Sequence, residues 1–347
     1  MKKVFRRYLA LGIAATAVVC AMSARTSTEG AEFKILGKFA LDGGGRWDYL
    51  VVDPESRRLY MSHSTDVTVL DADSGAPIGR IPDTPGVHGI ALAPDLGVGF
   101  TSNGGENRVT VFDLKTLNAI TKIDAGVNPD SILYHPATHS VFVMNRNKPG
   151  NTYGTATVID AVSRKVIATF PLGGKTEFSA YDDQGNVFVN LDSKSSILVI
   201  DAAEHRIKDT WKLDPCEKPS GLAINRHDHV LFSVCDNKLM AVVNADNGKV
   251  VQILPIGDDC DAVAFDPGTG RVFASNGEGT VTIARKDDSG KYRVVQTVTT
   301  LPGSKTVALD LKSHKIFLPS AKFTGDPTRS PRPPVVPGSL AVLVIGQ

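Results

Sequence analysis

The sequence predicts an all-β fold, a seven-bladed β-propeller of four-stranded antiparallel blades, and two observations lead to this prediction. Between Val87 and Asp113, short runs of β-forming residues alternate with turn residues, which is typical of successive antiparallel strands. The same order of strands and turns returns along the chain at intervals of 40 to 47 residues. An internal period of this length indicates a propeller or a related repeat array.

The first residues differ from the repeats. Four cations within residues 1–7 precede an apolar run from Leu9 to Val19, and small residues follow as far as Ala24. This layout predicts a secretory signal peptide over residues 1–24, cleaved after Ala21 or Ala24, and a periplasmic or secreted mature protein. The apolar run is shorter than the roughly 18 residues that a spanning helix needs, so we expect no membrane-spanning segment in the mature chain.

Removal of residues 1–24 changes the formal net charge from +1 to −3, because 34 lysines and arginines remain against 37 aspartates and glutamates. This negative net charge does not favour binding of nucleic acid, which rests largely on cationic contacts to phosphates. Nucleic acid is therefore not the partner that the composition favours.

Seven repeats occupy residues 33–347, which we interpret as a single propeller domain. Six of them begin the first strand with a polar or acidic side chain or a histidine, and the seventh has a lysine there. These seven positions, the mouth residues, are Asp48, His88, Asp130, Glu177, Ser220, Asp261 and Lys305. Three positions later the side chains are mostly alanine, as expected where innermost strands crowd around an axis.

The second strand of each repeat carries an aromatic residue at the same place, which we interpret as packing between blades. These residues are Tyr60, Phe100, Phe142, Phe188, Phe232, Phe273 and Phe317. The last repeat shows no fourth strand, and residues 33–39 have the pattern of an outer strand. Because an exposed sheet edge is a liability, we predict that this N-terminal strand completes blade seven and closes the ring.

Residues 321–339, the Pro-rich segment, interrupt the last repeat. The segment contains five prolines beside Lys322, Arg329 and Arg332. Proline this dense favours extended, polyproline-like conformations over a sheet. The segment is therefore either a solvated surface excursion or a lid or partner-docking loop.

In a four-stranded meander, the connections into the first strand and those between the second and third strands lie on one rim. The mouth residues therefore share an opening with the last residues of the second strands, which are His63, Asn103, Asn145, Leu191, Cys235, Asn276 and Ser320. The mouth residues include four carboxylates and one lysine, so we expect a negative potential and raised carboxylate pKa values there. A divalent cation, or a cationic small-molecule or protein ligand, would suit such a site.

His63 and His88 belong to neighbouring blades on this rim, with Asp48 and Asp130 beside them. Two imidazoles and two carboxylates suit zinc or another transition metal, so these four residues form a candidate metal site. The alternative is that they hydrogen-bond to channel waters and loop amides, as buried polar groups do.

The cysteines are more informative about the cellular compartment of the protein than about catalysis. Cys216 enters blade five and Cys235 ends its second strand, so both lie on the predicted mouth rim. In an exported protein this pair is a disulfide candidate, although the alignment also allows Cys235 to pair with Cys260. Asp259 and Asp261 flank Cys260 and should raise the pKa of its thiol, which argues against a nucleophilic cysteine.

The repeats resemble those of a known family. Third strands read Val-Thr-Val-Leu-Asp at 67–71, Val-Thr-Val-Phe-Asp at 109–113 and Ala-Thr-Val-Ile-Asp at 156–160, and residues 126–130 have the pattern Gly-x-x-Pro-Asp. With Lys218-Pro-Ser-Gly-Leu-Ala, these repeats are similar to the YVTN-repeat seven-bladed propellers, in particular the secreted YncE-like group. The resemblance implies a propeller over essentially the whole mature chain but no single activity, since such repeats serve varied binding roles.

The first hypothesis for function is an exported binding or scaffold protein, expected to be a monomer, with a polar and mostly acidic ligand site at the channel mouth. The alternative is a metal-assisted hydrolase or lactonase that uses a cation in the axial channel. The second alternative, single-stranded nucleic-acid binding, depends on Arg46 and Trp47 beside the mouth. No Gly-x-Ser-x-Gly elbow, P-loop or dinucleotide fingerprint occurs, so the enzyme classes that those motifs mark are not indicated.

Overall fold

Seven antiparallel sheets of four strands each form the part of the chain that the computed structural model describes, which is residues 31–41, 45–146, 153–328 and 333–347. The predicted signal peptide, residues 1–24, lies outside the described residues. The predicted fold class, an all-β seven-bladed propeller of four-stranded blades, is confirmed. Among the described residues, no helix has the length and apolar character needed to cross a membrane.

The strands follow one another in chain order. The first is β1 (Lys34–Ala40). Blade one contains β2 (Trp47–Asp53), β3 (Arg58–His63), β4 (Asp66–Asp71) and β5 (Pro77–Ile81). Blade two contains β6 (Val87–Ala93), β7 (Val98–Asn103), β8 (Arg108–Asp113) and β9 (Ala119–Asp124). Blade three contains β10 (Pro129–His135), β11 (Ser140–Asn145), β12 (Thr155–Asp160) and β13 (Lys165–Pro171).

The remaining blades repeat the arrangement. Blade four contains β14 (Thr176–Tyr181), β15 (Asn186–Leu191), β16 (Ser196–Asp201) and β17 (Arg206–Lys212). Blade five contains β18 (Pro219–Asn225), β19 (Val230–Cys235), β20 (Leu239–Asn244) and β21 (Val250–Pro255). Blade six contains β22 (Cys260–Asp266), β23 (Arg271–Asn276), β24 (Thr280–Lys286) and β25 (Tyr292–Thr299). The last strands are β26 (Ala308–Leu309), β27 (Ile316–Ser320) and β28 (Ala341–Gly346), and short 3-10 helices cover Pro94–Leu96, Pro136–Thr138 and Asp192–Lys194.

The first strand of each blade lies against the first strands of the two neighbouring blades. These contacts run from β2 to β6, β10, β14, β18, β22 and β26, and from β26 back to β2. The fourth strands are largely exposed, as in β1 and β13. The seven first strands therefore surround a common axis, and the fourth strands form the outer wall of the ring.

Blade seven combines strands from both ends of the described chain. Its hydrogen-bonded order is β1–β28–β27–β26, and six residue pairs join β1 to β28. Just before β1, Phe33 is buried, and its ring meets Phe273 of blade six edge-on with 5.2 Å between centroids. The predicted closure of the ring by the N-terminal strand is confirmed.

The aromatic residues of the second strands lie in the interfaces between blades. All seven are fully buried. Each shares a hydrophobic cluster with residues of the following blade, as Phe100 does with Tyr134 of blade three and Phe232 does with Val263 of blade six. Because burial of a large apolar side chain stabilises a fold by about 1.5–3 kcal/mol, this ring of aromatics is a main source of cohesion between blades.

The predicted disulfide joins Cys216 and Cys235, whose Cα atoms lie 5.7 Å apart. Cys260 is a free, buried thiol that donates to the Cys235 carbonyl oxygen at 2.8 Å, so the alternative pairing of Cys235 with Cys260 is not the one formed. Burial, reinforced by Asp261 and other nearby carboxylates, raises the pKa of the Cys260 thiol far above its usual value. A thiol in this setting is a poor nucleophile at neutral pH.

The two described parts of the Pro-rich segment pair with each other. The Thr324 N–H donates to the Pro334 carbonyl oxygen at 3.0 Å, and Phe323 and Val335 form an isolated β-bridge. The Phe323 ring lies on Trp47 of blade one with 5.9 Å between centroids. Since prolines have no N–H to donate, the pairing within the described part of this segment does not extend into a regular strand pair.

Candidate functional site

The mouth residues lie where the first strands are irregular. In six blades the register between the first and second strands slips at the start of the first strand, as between Trp47 and Leu50 in blade one. The mouth residue of each of these blades lies inside the slip. Such bulges turn a side chain away from the regular alternation. In blade seven the first strand is only Ala308–Leu309, and Lys305 precedes it.

Buried serines of the second strands fix three of these bulges. An amide that leaves the strand ladder needs another acceptor when it is buried. The serine hydroxyl oxygens supply it in blades one, two and six. The bonds run from Asp48 N–H to Ser62 at 3.1 Å, from Gly89 N–H to Ser102 at 2.8 Å and from Ala262 N–H to Ser275 at 3.3 Å.

Three of the mouth residues meet on one side of the opening. His88 Nδ1 lies 2.7 Å from Asp48 Oδ2 and 3.8 Å from Asp130 Oδ1. One ligand atom from each of the three residues lies within 4.8 Å of the other two. Burial alone would lower the pKa of His88, but its hydrogen bond to Asp48 and the charge of Asp130 raise the pKa above its usual value.

Two cations that were not among the predicted site residues, Arg146 and Lys175, neutralise much of the charge of Asp130 and Glu177, which we call the acidic cluster. The Arg146 guanidinium contacts both Asp130 and Glu177, and Lys175 Nζ lies 2.7 Å from Glu177 Oε1. Their position in the sequence could have identified them as rim residues, because Arg146 directly follows a second strand and Lys175 directly precedes a first strand. The mouth therefore carries both signs of charge, and the predicted excess of carboxylates is partly offset.

Asp130 and Glu177 are buried, and burial raises the pKa of each carboxyl group above its usual value while Arg146 opposes the shift. For these two groups the shift has the direction expected of clustered carboxylates. Its largest cause is removal from water, and repulsion between neighbouring carboxylates is a smaller one.

A second group lies across blades five, six and seven. The Ser220 hydroxyl donates to Asp261 Oδ1 at 3.3 Å, and Lys305 contacts Asp259. Burial raises the pKa of Asp261 to about 6, with Asp48 and Glu177 adding to the shift and Lys305 opposing it. Asp261 therefore changes charge near the middle of the physiological pH range.

A cavity of about 570 Å³ opens between these groups. We call it the mouth cavity, and its lining is Arg46, Trp47, Asp48, Ser64, Gly86, Val87, His88, Arg146, Asp261, Lys305 and Thr306. Its volume falls in the range of small-molecule sites, about 300–1,000 Å³.

An aromatic pair crosses the axis of the ring next to the mouth residues. The rings of Tyr49 and Phe178 lie 4.5 Å apart, centroid to centroid. These residues belong to blades one and four, which are not neighbours, so their contact crosses the axis. The Tyr49 hydroxyl is buried, has no hydrogen-bond partner among the described residues, and has its pKa raised by burial and by the nearby carboxylates. It remains a protonated donor beneath the acidic cluster.

His63 does not join the predicted metal site. It is paired in register with Trp47, so both side chains project from the same face of blade one. That face looks toward blade seven, and His63 lines a separate cavity with Leu41 and Thr68. The group of potential ligands that the structure assembles is Asp48, His88 and Asp130.

Trp47 does not offer a free stacking face. Only 8% of the residue is exposed, and its ring packs against Phe323. Recognition of single-stranded nucleic acid needs exposed aromatic rings along a basic groove. The geometry at Trp47 gives no support to that alternative.

The architecture defines the class to which this chain belongs, the seven-bladed β-propeller scaffold. Neither a protein-family model nor a curated protein matches the sequence. Solved structures do match, and they include WD40 propellers. The hydrazine synthase of Kuenenia stuttgartiensis is similar at 18% identity and a TM-score of 0.68, over 82% of this chain and 95% of that one.

Two further structures are similar at higher TM-scores and lower identities. U3-55K matches with a TM-score of 0.74 and 10% identity, over 88% of this chain and 97% of that one. The RRP9 WD40 repeats match with a TM-score of 0.74 and 9% identity, over 89% of this chain and 97% of that one. At such identities the likeness shows a shared fold and carries no activity to this chain.

Proposed function

We propose that this propeller is a binding protein that holds a small cationic ligand in the mouth cavity. The observation that carries the proposal is the environment of Asp261. Its carboxylate lines the cavity and accepts a hydrogen bond from the neutral Ser220 hydroxyl. Within the described residues, no lysine, arginine or histidine lies at ion-pair distance from it. Asp261 is thus a carboxylate in a solvent-accessible cavity that forms no ion pair with the described residues, and Lys305 acts on it only from beyond ion-pair distance.

The other carboxylates around the opening already contact cations of the protein. These contacts pair Asp48 with His88, Asp130 and Glu177 with Arg146, and Asp259 with Lys305. A ligand ammonium beside Asp261 would form a charge-assisted hydrogen bond and would not have to displace any of them. This difference is why we place the ligand cation at Asp261 and not at the more buried acidic cluster.

The proposed location and the proposed family of this protein rest on separate observations. The charged and apolar pattern of residues 1–24 supports export to the periplasm or the medium, and the Cys216–Cys235 disulfide supports an oxidising compartment. The residue pattern of the repeats supports a YVTN-type propeller of the YncE-like group. In this proposal the mature chain acts as a monomer with one ligand site.

Binding of a primary amine is expected to strengthen as the pH rises. With phenethylamine as the probe, affinity should increase about tenfold from about pH 5 to about pH 7.5, because a carboxyl group with a pKa of about 6 is mostly neutral at the lower pH and ionised at the higher one. Isothermal titration calorimetry at several pH values measures the effect.

The variant Asp261→Asn tests whether Asp261 is the anchor for the amine. It should bind the amine at least about tenfold more weakly at pH 7.5 and should lose most of the pH dependence. Asp258→Asn is the matched control, because Asp258 is half exposed, contacts Lys238 and does not line the cavity. If no amine binds, or if both variants bind alike, Asp261 is not the anchor and the proposal is wrong.

A divalent cation at Asp48, His88 and Asp130 is the second candidate, and the convergence of their ligand atoms favours it. One imidazole nitrogen and two carboxylate oxygens suit zinc and other transition metals. Arg146 weighs against it, because the guanidinium already contacts Asp130. A cation bound there would supply Lewis-acid polarisation of a substrate carbonyl, as in a metal-assisted hydrolase or lactonase.

Elemental analysis tests the second candidate directly. Protein purified without chelator should retain about one transition-metal ion per chain, and His88→Ala should lose it, because one of three ligands is removed. His227→Ala is the matched control, since that side chain is 95% exposed and far from the cluster. Equal metal content in wild type and His88→Ala removes this candidate.

A further inference from the structure

A second cavity lies beside the Pro-rich segment and shares two lining residues with the mouth cavity. This second cavity, which we call the side pocket, has a volume of about 350 Å³ and is lined by Gly45, Arg46, Trp47, Phe323, Pro333, Pro334 and Val335. Arg46 and Trp47 line both cavities. A ligand group that contacts Arg46 in the mouth cavity therefore lies near a pocket with an apolar lining.

The side pocket is built by contacts within the protein. The β-bridge between Phe323 and Val335 and the bond from Thr324 N–H to Pro334 hold its outer wall, and the packing of Phe323 on Trp47 holds the inner one. Apart from Arg46, all of its lining side chains are apolar. Such a surface gains free energy when an aromatic or branched aliphatic group covers it.

Arg46 adds a positive charge to the lining of both cavities. Its side chain is exposed, and in the described part of the chain no carboxylate lies at ion-pair distance from it. Because Arg46 and Asp261 both line the mouth cavity, one opening presents a cation and an anion. A guanidinium is well suited to bind a carboxylate through two parallel hydrogen bonds.

We infer that the ligand is a zwitterionic α-amino acid with an apolar side chain. Its ammonium group binds Asp261, its carboxylate binds Arg46, and its side chain enters the side pocket against Phe323 and the prolines of the outer wall. The inference rests on the proposed function, because it takes Asp261 as the anchor for a cation. The inference adds a ligand carboxylate that binds Arg46 and an apolar ligand group that fills the side pocket.

Three truncated probes test the three contacts. At about pH 7.5, L-phenylalanine should bind at least about tenfold more tightly than phenethylamine, which lacks the carboxylate, than 3-phenylpropanoate, which lacks the ammonium, and than L-alanine, which lacks the apolar side chain. L-leucine should bind comparably to L-phenylalanine. Calorimetric titrations of the full mature chain measure all five.

Variants assign each preference to its residue. Arg46→Gln should abolish the preference for phenylalanine over phenethylamine without weakening phenethylamine itself, and Phe323→Ala should abolish the preference over alanine. Arg80→Gln is the matched control for charge, because Arg80 is half exposed on an outer strand and paired with Asp66. This control should leave every affinity unchanged.

The outcomes separate this inference from the proposed function. If phenethylamine binds as tightly as phenylalanine and does so through Asp261, the amino-acid inference is wrong and the proposed function stands. If phenylalanine amide binds as tightly as phenylalanine, the role of Arg46 is wrong and the site recognises a peptide N-terminus or an amine. If none of the amines and amino acids binds, both the inference and the proposed function fail.

Discussion

Removal of β1 is expected to lower the free energy of unfolding by more than about 5 kcal/mol, which is a large share of the 5–15 kcal/mol typical of a folded domain. The strand forms six residue pairs with β28, and each net hydrogen bond of such a ladder contributes about 1 kcal/mol. Loss of the contact between the partly buried Phe39 and the buried Phe317 adds to the cost, since their ring centroids lie 6.0 Å apart. A chain that begins at residue 41 would leave β28 as an open edge.

Urea unfolding followed by circular dichroism measures this effect against a chain that begins at residue 31. The double variant Ile35→Ser and Leu36→Ser is the control, because both side chains are more than 40% exposed and the strand itself is kept. It should change the free energy of unfolding by less than about 1 kcal/mol. An unchanged midpoint for the chain without β1 would show that the ring does not depend on that strand.

The fold was predictable because it rests on patterns that repeat within short stretches of sequence. Spacing between mouth residues gave the number of blades, since each blade is one meander of similar length. The aromatic position in the second strand was readable as core because its place is the same in every repeat, and the structure buries all seven rings. Ring closure followed from a missing strand at one end and a surplus strand at the other.

The site was predictable only in part. Whether a rim residue reaches the site depends on the face of the strand from which its side chain projects, as well as on its position at the strand end. Aligning the repeats brought Asp48 and His88 together although they are 40 residues apart, and the structure places Nδ1 and Oδ2 at 2.7 Å. His63 ends its strand on the same rim, yet strand alternation turns it toward blade seven. The bulge in the first strand, which the sequence does not mark, decides which rim residues face the axis.

Charge at the mouth was the quantity that the sequence misjudged most. Counting only the mouth residues gave four carboxylates against one lysine, because the alignment stopped at the strand ends. Arg146 stands one residue after the last residue of its second strand, Lys175 stands two residues before its mouth residue, and the two cations contact Asp130 and Glu177. Neutralisation of this cluster is what makes Asp261 distinctive, so the proposed ligand site depends on residues that lie in the connections and not in the strands.

Replacement of Phe232 by alanine is expected to cost about 3–5 kcal/mol in the free energy of unfolding, because the side chain is fully buried and its loss leaves a cavity. The ring stacks on Phe265 with 5.5 Å between centroids and meets Tyr292 edge-on at 4.8 Å. These contacts join blades five and six, so the gap cannot close without moving one blade against the other.

Val251→Ala in the same blade is the control for Phe232→Ala. Val251 is 54% exposed on the outer strand, and its truncation should change the free energy of unfolding by less than about 0.5 kcal/mol. Urea denaturation of both variants gives the comparison, and an equal slope against denaturant would show that the unfolded states are alike. A cost below about 1 kcal/mol for Phe232→Ala would mean that the blades are not held together through the aromatic ring. The cohesion would then have to come from the first strands around the axis.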